Sequence, residues 1–136
     1  MKTEYFDLKN KRALISGGAS GIGSSIVEHL CEQGVEVYFF DIDKKEAKKT
    51  INKIKKKKFK IPKFVECDIK NIKKYKSLIL SIINKGGPID ILINNASNDQ
   101  RHSLENITEK YWDERMAINL KHYLFAIQSV KKSMIK

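Results

Sequence analysis

The sequence predicts an α/β domain: a doubly wound parallel sheet of about four strands, with helices on both faces, that ends in a long helix. Three observations carry that expectation. Short apolar runs alternate with stretches of helical periodicity, the pattern of successive βαβ units. A glycine-rich turn, Ser16-Gly17-Gly18-Ala19-Ser20-Gly21-Ile22-Gly23, joins the first run to the first helix. At 136 residues, 41% hydrophobic and 32% charged, the chain suits one domain with a sizeable core and is too apolar for disorder.

In chain order, residues Lys11 to Ser16 read as the first strand and Ser24 to Gln33 as the first helix, closed by Gly34 as its C′ residue. Val35 to Phe40 is a β-rich run that ends at Asp41. Lys44 to about Lys56 has Ala47, Ile51 and Ile54 at helical spacing. Lys63 to Cys67 is a third strand, started by Pro62 and ended by Asp68. Asn71 to Lys85 is helical, with Ile72, Tyr75, Leu78, Ile79, Ile82 and Ile83 on one face, and Gly86-Gly87-Pro88 breaks it. Ile89 to Asn94 is a nearly all-apolar strand. From Thr108, a plausible N-cap, to Lys136 the pattern is one long amphipathic helix. Its stripe of Trp112, Met116, Leu120, Tyr123, Leu124, Ile127, Val130 and Met134 suits core or a subunit interface better than a cofactor site.

Composition excludes several function classes. No apolar run approaches the roughly 20 residues of a membrane span, and the start, Met1-Lys2-Thr3-Glu4-Tyr5-Phe6-Asp7, has no apolar h-region. Cys31 and Cys67 sit in different elements without metal-ligand spacing, which points to buried reduced thiols and a cytoplasmic location. His29, His102 and His122 are scattered, so no metal site or nucleophile is assigned. The net charge of +11 is concentrated in Lys44 to Lys60. A nucleic-acid patch is one reading. With only Phe59 as aromatic and no arginine, base stacking and bidentate readout are poorly supplied, and a lysine-coated helix and loop is preferred.

Candidate chemistry collects at the ends of successive strands, where open α/β sheets bind ligands. The glycine turn presents the unpaired N–H groups and the positive dipole end of the first helix, a geometry suited to phosphate. Its G-x-x-x-G-x-G spacing differs from G-x-G-x-x-G and lacks the Lys-Ser/Thr pair of a P-loop. Asp41, 18 residues after Gly23, is placed to accept from both hydroxyls of an adenosine ribose. Asp68 stands on the adenine side of the same crevice, and Asn94-Asn95-Ala96 forms a small polar rim. Taken singly, these would read as a loop acid, a helix-capping residue and a turn; their order is what points to a dinucleotide.

In order, Ser16-Gly17-x-x-x-Gly21-Ile22-Gly23, Asp41, Asp68, Asn94-Asn95-Ala96 and Asn119 resemble the amino-terminal half of the short-chain dehydrogenase/reductases, over essentially the whole chain. Ser16 stands where that family usually has Thr, and Ser97 where it usually has Gly. Asn94 to His102, Tyr111 to Arg115 and Asn119-Leu120-Lys121-His122 look like its bacterial NAD-dependent sugar dehydrogenases, nearest the D-xylose 1-dehydrogenase branch.

The resemblance implies a partial Rossmann-type sheet in the order 3-2-1-4 and a soluble oxidoreductase, without nucleic-acid or membrane partners, that forms homo-oligomers at full length. Its substrate would be a sugar or alcohol CH–OH. Gly17, Ser20, Gly21, Ile22 and Gly23 would hold pyrophosphate and ribose, Asp41 and Ile42 the adenosine ribose and ring, and Asp68 and Ile69 the adenine. Asn95 and Ala96 would border the nicotinamide ribose. Asn119 would be the catalytic Asn that kinks its helix and holds a water in a proton relay. NAD is favoured over NADP, because a 2′-phosphate would meet the Asp41 carboxylate, although Lys44 and Lys45 lie near.

That chemistry also needs a Tyr with a Lys four residues on, and a Ser. Tyr5 is followed by Lys9 but lies upstream of the nucleotide fold, while Tyr38, Tyr75, Tyr111 and Tyr123 have Ile42, Ile79, Arg115 and Ile127. The expectation is therefore a Rossmann domain over 1–136, truncated before the catalytic segment and inactive alone, with an exposed apolar edge on its fourth strand. The alternative is a non-catalytic nucleotide-binding or interaction module that uses the helix from residue 108.

Overall fold

Ten elements follow in the expected alternation. A computed structural model of the chain describes residues 3–135; Met1, Lys2 and Lys136, which belong to the start and to the last expected helix, lie outside the described residues. The elements are β1 (Arg12–Ser16), α1 (Gly21–Glu32), β2 (Glu36–Asp41), α2 (Lys44–Lys56), β3 (Lys63–Glu66), α3 (Ile72–Gly86), β4 (Ile91–Asn94), α4 (Glu109–Met116), a π-helical turn (Ala117–Lys121) and α5 (His122–Met134). Short 3-10 turns at Phe6–Leu8 and Leu104–Asn106 precede β1 and α4.

The sheet is wholly parallel, in the order β3-β2-β1-β4. Ala13 pairs with Val37 on one side and Ile91 on the other, and Phe39 pairs with Phe64. Because side chains alternate across a strand, β1 feeds two cores and is buried along its whole length. Ala13 and Ile15 join Val37 and Phe39 beneath Val27 and Cys31 of α1 and Ala47 and Ile54 of α2. Leu14 joins Phe40 on the other face, beneath Tyr75 and Ile79 of α3 and Ala126 and Val130 of α5. Both cysteines are buried and free, and burial pushes the Cys31 thiol up to about 12. All four β4 residues are half-buried rather than fully exposed.

Boundaries move by one to three residues. α1 starts at Gly21 rather than Ser24, because glycines are weak helix formers that hide a first turn from periodicity. β4 starts at Ile91 because the Ile89 N–H turns to Ser133 Oγ (3.4 Å) instead of a strand.

The last helix departs most from expectation. Thr108 caps it, its Oγ1 accepting from Tyr111 N at 3.2 Å, and the course is helical to Met134. The π turn inserts one residue, however, and so advances the helical phase by about 100°. No single 3.6-residue stripe can run through both halves. The buried row is His122, Ala126 and Val130, while Trp112, Leu120, Leu124 and Ile127 of the expected stripe are exposed.

At the opposite end of the sheet from the strand carboxyl ends, Arg12 pins three elements. Its Nε donates to Glu36 Oε2 (3.1 Å), its Nη1 to the Gly87 carbonyl, and its Nη2 to Tyr38 Oη (3.3 Å) and Ile82 O (3.4 Å). Lys63 donates to Glu36 Oε1 at 2.6 Å. That bond leads the causes that hold the Glu36 carboxyl at about 2, with Tyr38, Lys63 and Arg12 also lowering it against the effect of burial.

Part of the lysine-rich stretch is tied down within the chain. Lys53 (2.6 Å) and Lys57 both reach Glu28 of α1, Lys49 reaches Glu46 and Lys44 reaches Glu66. Among the described residues no helix is long and apolar enough to cross a membrane, and no group of three or more His, Cys, Asp or Glu is arranged to hold a metal ion.

Candidate functional site

A crevice of about 580 Å³ opens at the carboxyl ends of the strands. Gly17, Ser20, Ile22, Gly23, Asp41, Ile42, Asp68, Ile69, Asn95 and Ala96 line it; Gly21 and Asn119 do not. It is lined as well by Ser97, Asn98 and Lys70, and by Glu114, Arg115 and Ile118 from α4 and the π turn, which the sequence reading had not placed there.

The glycine turn is held by its neighbours rather than by itself. Gly17 N donates to Phe40 O at 2.8 Å, and Ala19 N to Asp41 Oδ2 at 3.0 Å. From α2, Thr50 Oγ1 donates to Ala19 O at 2.8 Å. From the end of β4, Asn95 Nδ2 donates to Ser16 O (3.1 Å) and Gly17 O (3.0 Å). Gly23 sits against this clasp: a Cβ there would lie 1.9 Å from Gly17 O and 2.6 Å from Asn95 Nδ2. Ser20, the N-cap of α1, makes no side-chain cap hydrogen bond. The first-turn N–H groups of α1 have no intrahelical partner, and Ser20, Ile22 and Gly23 bring that end of the helix, with its dipole behind it, to the crevice.

Asp41 does two jobs at once. Its Oδ1 accepts from Ile42 N (2.8 Å) and Asp43 N (3.0 Å), and its Oδ2 accepts from Ala19 N. A carboxylate has about four acceptor sites, so as folded Asp41 offers one, on Oδ2. The expected acceptance from both ribose hydroxyls would share the carboxylate with these three backbone N–H groups. Asp68 is not a helix cap. Its Oδ1 accepts from Lys70 N at 2.9 Å, while Asn71 caps α3.

The nearest thing to a buried hub is Ser16 Oγ. Asn95 N and Ala96 N each donate to it at 3.1 Å, and His122 Nε2 lies 3.1 Å away. Ser16 and His122 are both essentially without solvent exposure. Burial holds the His122 imidazole below its ordinary value, and backbone hydrogen bonding at Ile118 offsets part of that. Sequence reasoning missed this role of His122. The available signal was its place at the head of the row His122, Ala126, Val130, spaced for one buried helix face.

Asn119 lies within the π turn. Its Oδ1 accepts from Asn98 N at 2.7 Å and its Nδ2 donates to Asn98 O at 3.0 Å. It thus fixes the loop that lines the crevice, and π turns of this kind recur at functional positions. Tyr5 and Lys9 lie together with Glu32 and Gln33 at the far end of α1 from the glycine turn.

A parallel sheet in this order, with a glycine turn at the carboxyl end of its central strand, defines an α/β domain of the Rossmann type. Residues 11–136 match the model of the short chain dehydrogenase family, and the chain belongs to that family. It is 39% identical over 132 residues to the D-xylose 1-dehydrogenase of Caulobacter vibrioides, covering 97% of this chain and 51% of that one. A candidate short-chain alcohol dehydrogenase solved from Sinorhizobium meliloti 1021 superposes with a TM-score of 0.85 at 29% identity, covering 95% of this chain and 51% of that one. L-sorbose reductase of Gluconobacter frateurii, solved with NADPH and L-sorbose, gives a TM-score of 0.84 at 20% identity, covering 93% of this chain and 48% of that one, and shares the fold. The chain spans about half the length of the relatives it matches.

Proposed function

We propose that this chain forms the cofactor half of an NAD-dependent short-chain oxidoreductase that acts on the CH–OH group of a sugar or related alcohol in the cytoplasm. The observation that carries the reading is the convergence of the α1 N-terminus and the Asp41 carboxylate on one crevice. The donor set fits a dinucleotide. Gly17, Ser20, Gly21, Ile22 and Gly23 would hold the pyrophosphate and its ribose on backbone N–H groups, and Gly23 leaves room where a Cβ would collide with the turn. Asp41 Oδ2 would accept one adenosine ribose hydroxyl, beside Ile42. Asp68 and Ile69 would border the adenine, and Asn95 and Ala96 the nicotinamide ribose. When bound, NAD supplies the acceptor for the substrate hydride.

A 2′-phosphate would stand against Asp41, where like charges about 4 Å apart repel by roughly 1–4 kcal/mol depending on solvent access. Lys44, placed by the sequence to offset that anion, is paired with Glu66 at 2.9 Å. This supports NAD over NADP. The 39% identity to a D-xylose 1-dehydrogenase supports an aldose substrate.

Asn119 is assigned to catalysis in two ways. Its side chain holds the Asn98 loop against the crevice. The π turn around it disturbs the regular ladder of backbone hydrogen bonds, which leaves a carbonyl for a water of the proton relay. Proton transfer by Tyr with an adjacent Lys falls outside this crevice: among the described residues no tyrosine lines it. The 136-residue chain is accordingly expected to bind cofactor without turnover. Calorimetric titration with NAD and NADP, together with reduced-nicotinamide absorbance in the presence of D-xylose, tests both parts. Absence of NAD binding sinks the site assignment, and D-xylose-dependent reduction by this chain sinks the claim of inactivity.

A second reading, association through the last helices, rests on the exposed apolar side chains Trp112, Leu120, Leu124 and Ile127. It is compatible with the first, since the same side chains would serve as a subunit interface.

A further inference from the structure

The hydrogen bonds at Ser16 leave one arrangement of protons. A hydroxyl oxygen has two lone pairs and one hydrogen. Both lone pairs of Ser16 Oγ are taken by the N–H groups of Asn95 and Ala96, at 3.1 Å each. The hydroxyl hydrogen is then left for the third neighbour, His122 Nε2, 3.1 Å away. With Nε2 as the acceptor, the ring carries its single proton on Nδ1, a buried atom without a hydrogen-bond partner whose neighbouring backbone is that of Ile118. An imidazolium would point an Nε2–H at an oxygen with no lone pair to spare and would have to displace one of the two backbone N–H groups. The titratable groups that face the ring are phenols, Tyr75 of α3 with centroids 6.1 Å apart and Tyr123 of α5 at 4.4 Å. Burial pushes the Tyr75 phenol up, so it offers no charge to stabilise an imidazolium.

Asn95 and Ala96 are also the residues at which β4 meets the crevice, and Asn95 Nδ2 clasps the glycine turn. We propose that His122 is a positioning residue for the cofactor crevice: by accepting the Ser16 hydroxyl hydrogen, it commits both lone pairs of Oγ to the Asn95 and Ala96 N–H groups and so sets the backbone that borders the nicotinamide ribose. The second half of this statement rests on the cofactor reading above; the first half does not. His122 does not line the crevice and acts on it through Ser16.

Three measurements on the full chain test it. Long-range ¹H–¹⁵N correlation of the unsubstituted protein at neutral pH, which needs no variant to fold, is expected to show the Nδ1–H tautomer; the Nε2–H tautomer or an imidazolium overturns the proposal. Amide hydrogen exchange at Asn95 and Ala96 is expected to speed about tenfold or more in His122→Phe, with Val37 and Phe39 unchanged. It should recover in His122→Gln, whose Oε1 can accept where Nε2 does. Uniform acceleration across the sheet, or none, overturns it. Finally, His122→Phe is expected to weaken NAD about tenfold while leaving ADP-ribose, which lacks the nicotinamide, unchanged. Equal loss of both ligands makes His122 merely structural. If the unsubstituted chain binds neither ligand, the cofactor reading falls, and the tautomer and exchange results still decide the role of His122.

Discussion

Gly23→Ala puts the close approach at the heart of the crevice to the test. The new Cβ would stand 1.9 Å from the Gly17 carbonyl oxygen, 2.6 Å from Asn95 Nδ2 and 2.9 Å from the Gly17 carbonyl carbon. Unstrained carbon contacts begin near 3.5 Å, so about 1.5 Å of movement is needed. Gly17 has nowhere to retreat, because its N–H is bonded to Phe40 O and the next turn is fixed by Ala19 N on Asp41. Overpacking costs about 1–3 kcal/mol, and loss of the two Asn95 Nδ2 bonds adds about 1 kcal/mol each. Better helix propensity returns up to about 1 kcal/mol. The net destabilisation is about 2–4 kcal/mol, a large part of the roughly 5–15 kcal/mol that holds a domain together. Gly21→Ala is the control: a Cβ there meets nothing within 4 Å, and only the φ of +54° opposes it, at about 1–2 kcal/mol. Urea denaturation of both variants, with the slopes compared to exclude a change in compactness, gives the ranking. ADP-ribose titration should show Gly23→Ala the weaker binder by about tenfold or more. A Gly23→Ala midpoint at or above that of Gly21→Ala refutes the reasoning.

Three further outcomes are expected. Arg12→Met leaves Glu36 without its buried partner and the Ile82 and Gly87 carbonyls without a donor, a loss of about 3 kcal/mol in a urea melt; a change below about 1 kcal/mol contradicts it. Acid lowers stability in two windows. Glu36 is held at about 2 against an ordinary 4.5, so its contribution is present above 4.5 and disappears as pH falls from there toward 2. The shift alone corresponds to about 3 kcal/mol, which partial exposure of the Lys63–Glu36 pair cuts to about 1–2 kcal/mol. His122 is held below its ordinary 6.5, so stability is fully present above 6.5 and declines just below it; pH-dependent thermal melts of the Glu36→Gln and His122→Gln variants should each lose one window. Asp41→Asn removes the repelling carboxylate while costing the Ala19 contact, so NAD binding should weaken about tenfold and the NADP-to-NAD affinity ratio rise about tenfold or more. An unchanged ratio removes Asp41 from cofactor selection.

The parts of this protein that local patterning describes were legible in advance. Val35 to Asp41 declared a strand by its β-rich run, α2 matched its expected span from Lys44 to Lys56, and the glycine turn announced a strand-to-helix junction by composition alone. The phase break in the last helix was not legible in its periodicity, although the family resemblance puts a kink at Asn119; the π turn there comes with Asn119 reaching back to Asn98, a contact that periodicity assumes away. The surroundings of Asp41 were hidden for a related reason, since its acid was visible while the three backbone N–H groups that donate to it were not.

What the sequence by itself determined are those properties set by residues within a turn or two of one another: element order, the alternation that yields a parallel sheet, and the glycine and acid positions that mark the family. What only the tertiary structure decided are the properties made by groups far apart in the chain. Ser16 meets His122 across 106 residues, and Arg12 meets Gly87 across 75. A buried polar group must find its partners wherever folding brings them. Residue type reveals that such a partner is needed, and only the packed sheet and helices say which residue supplies it.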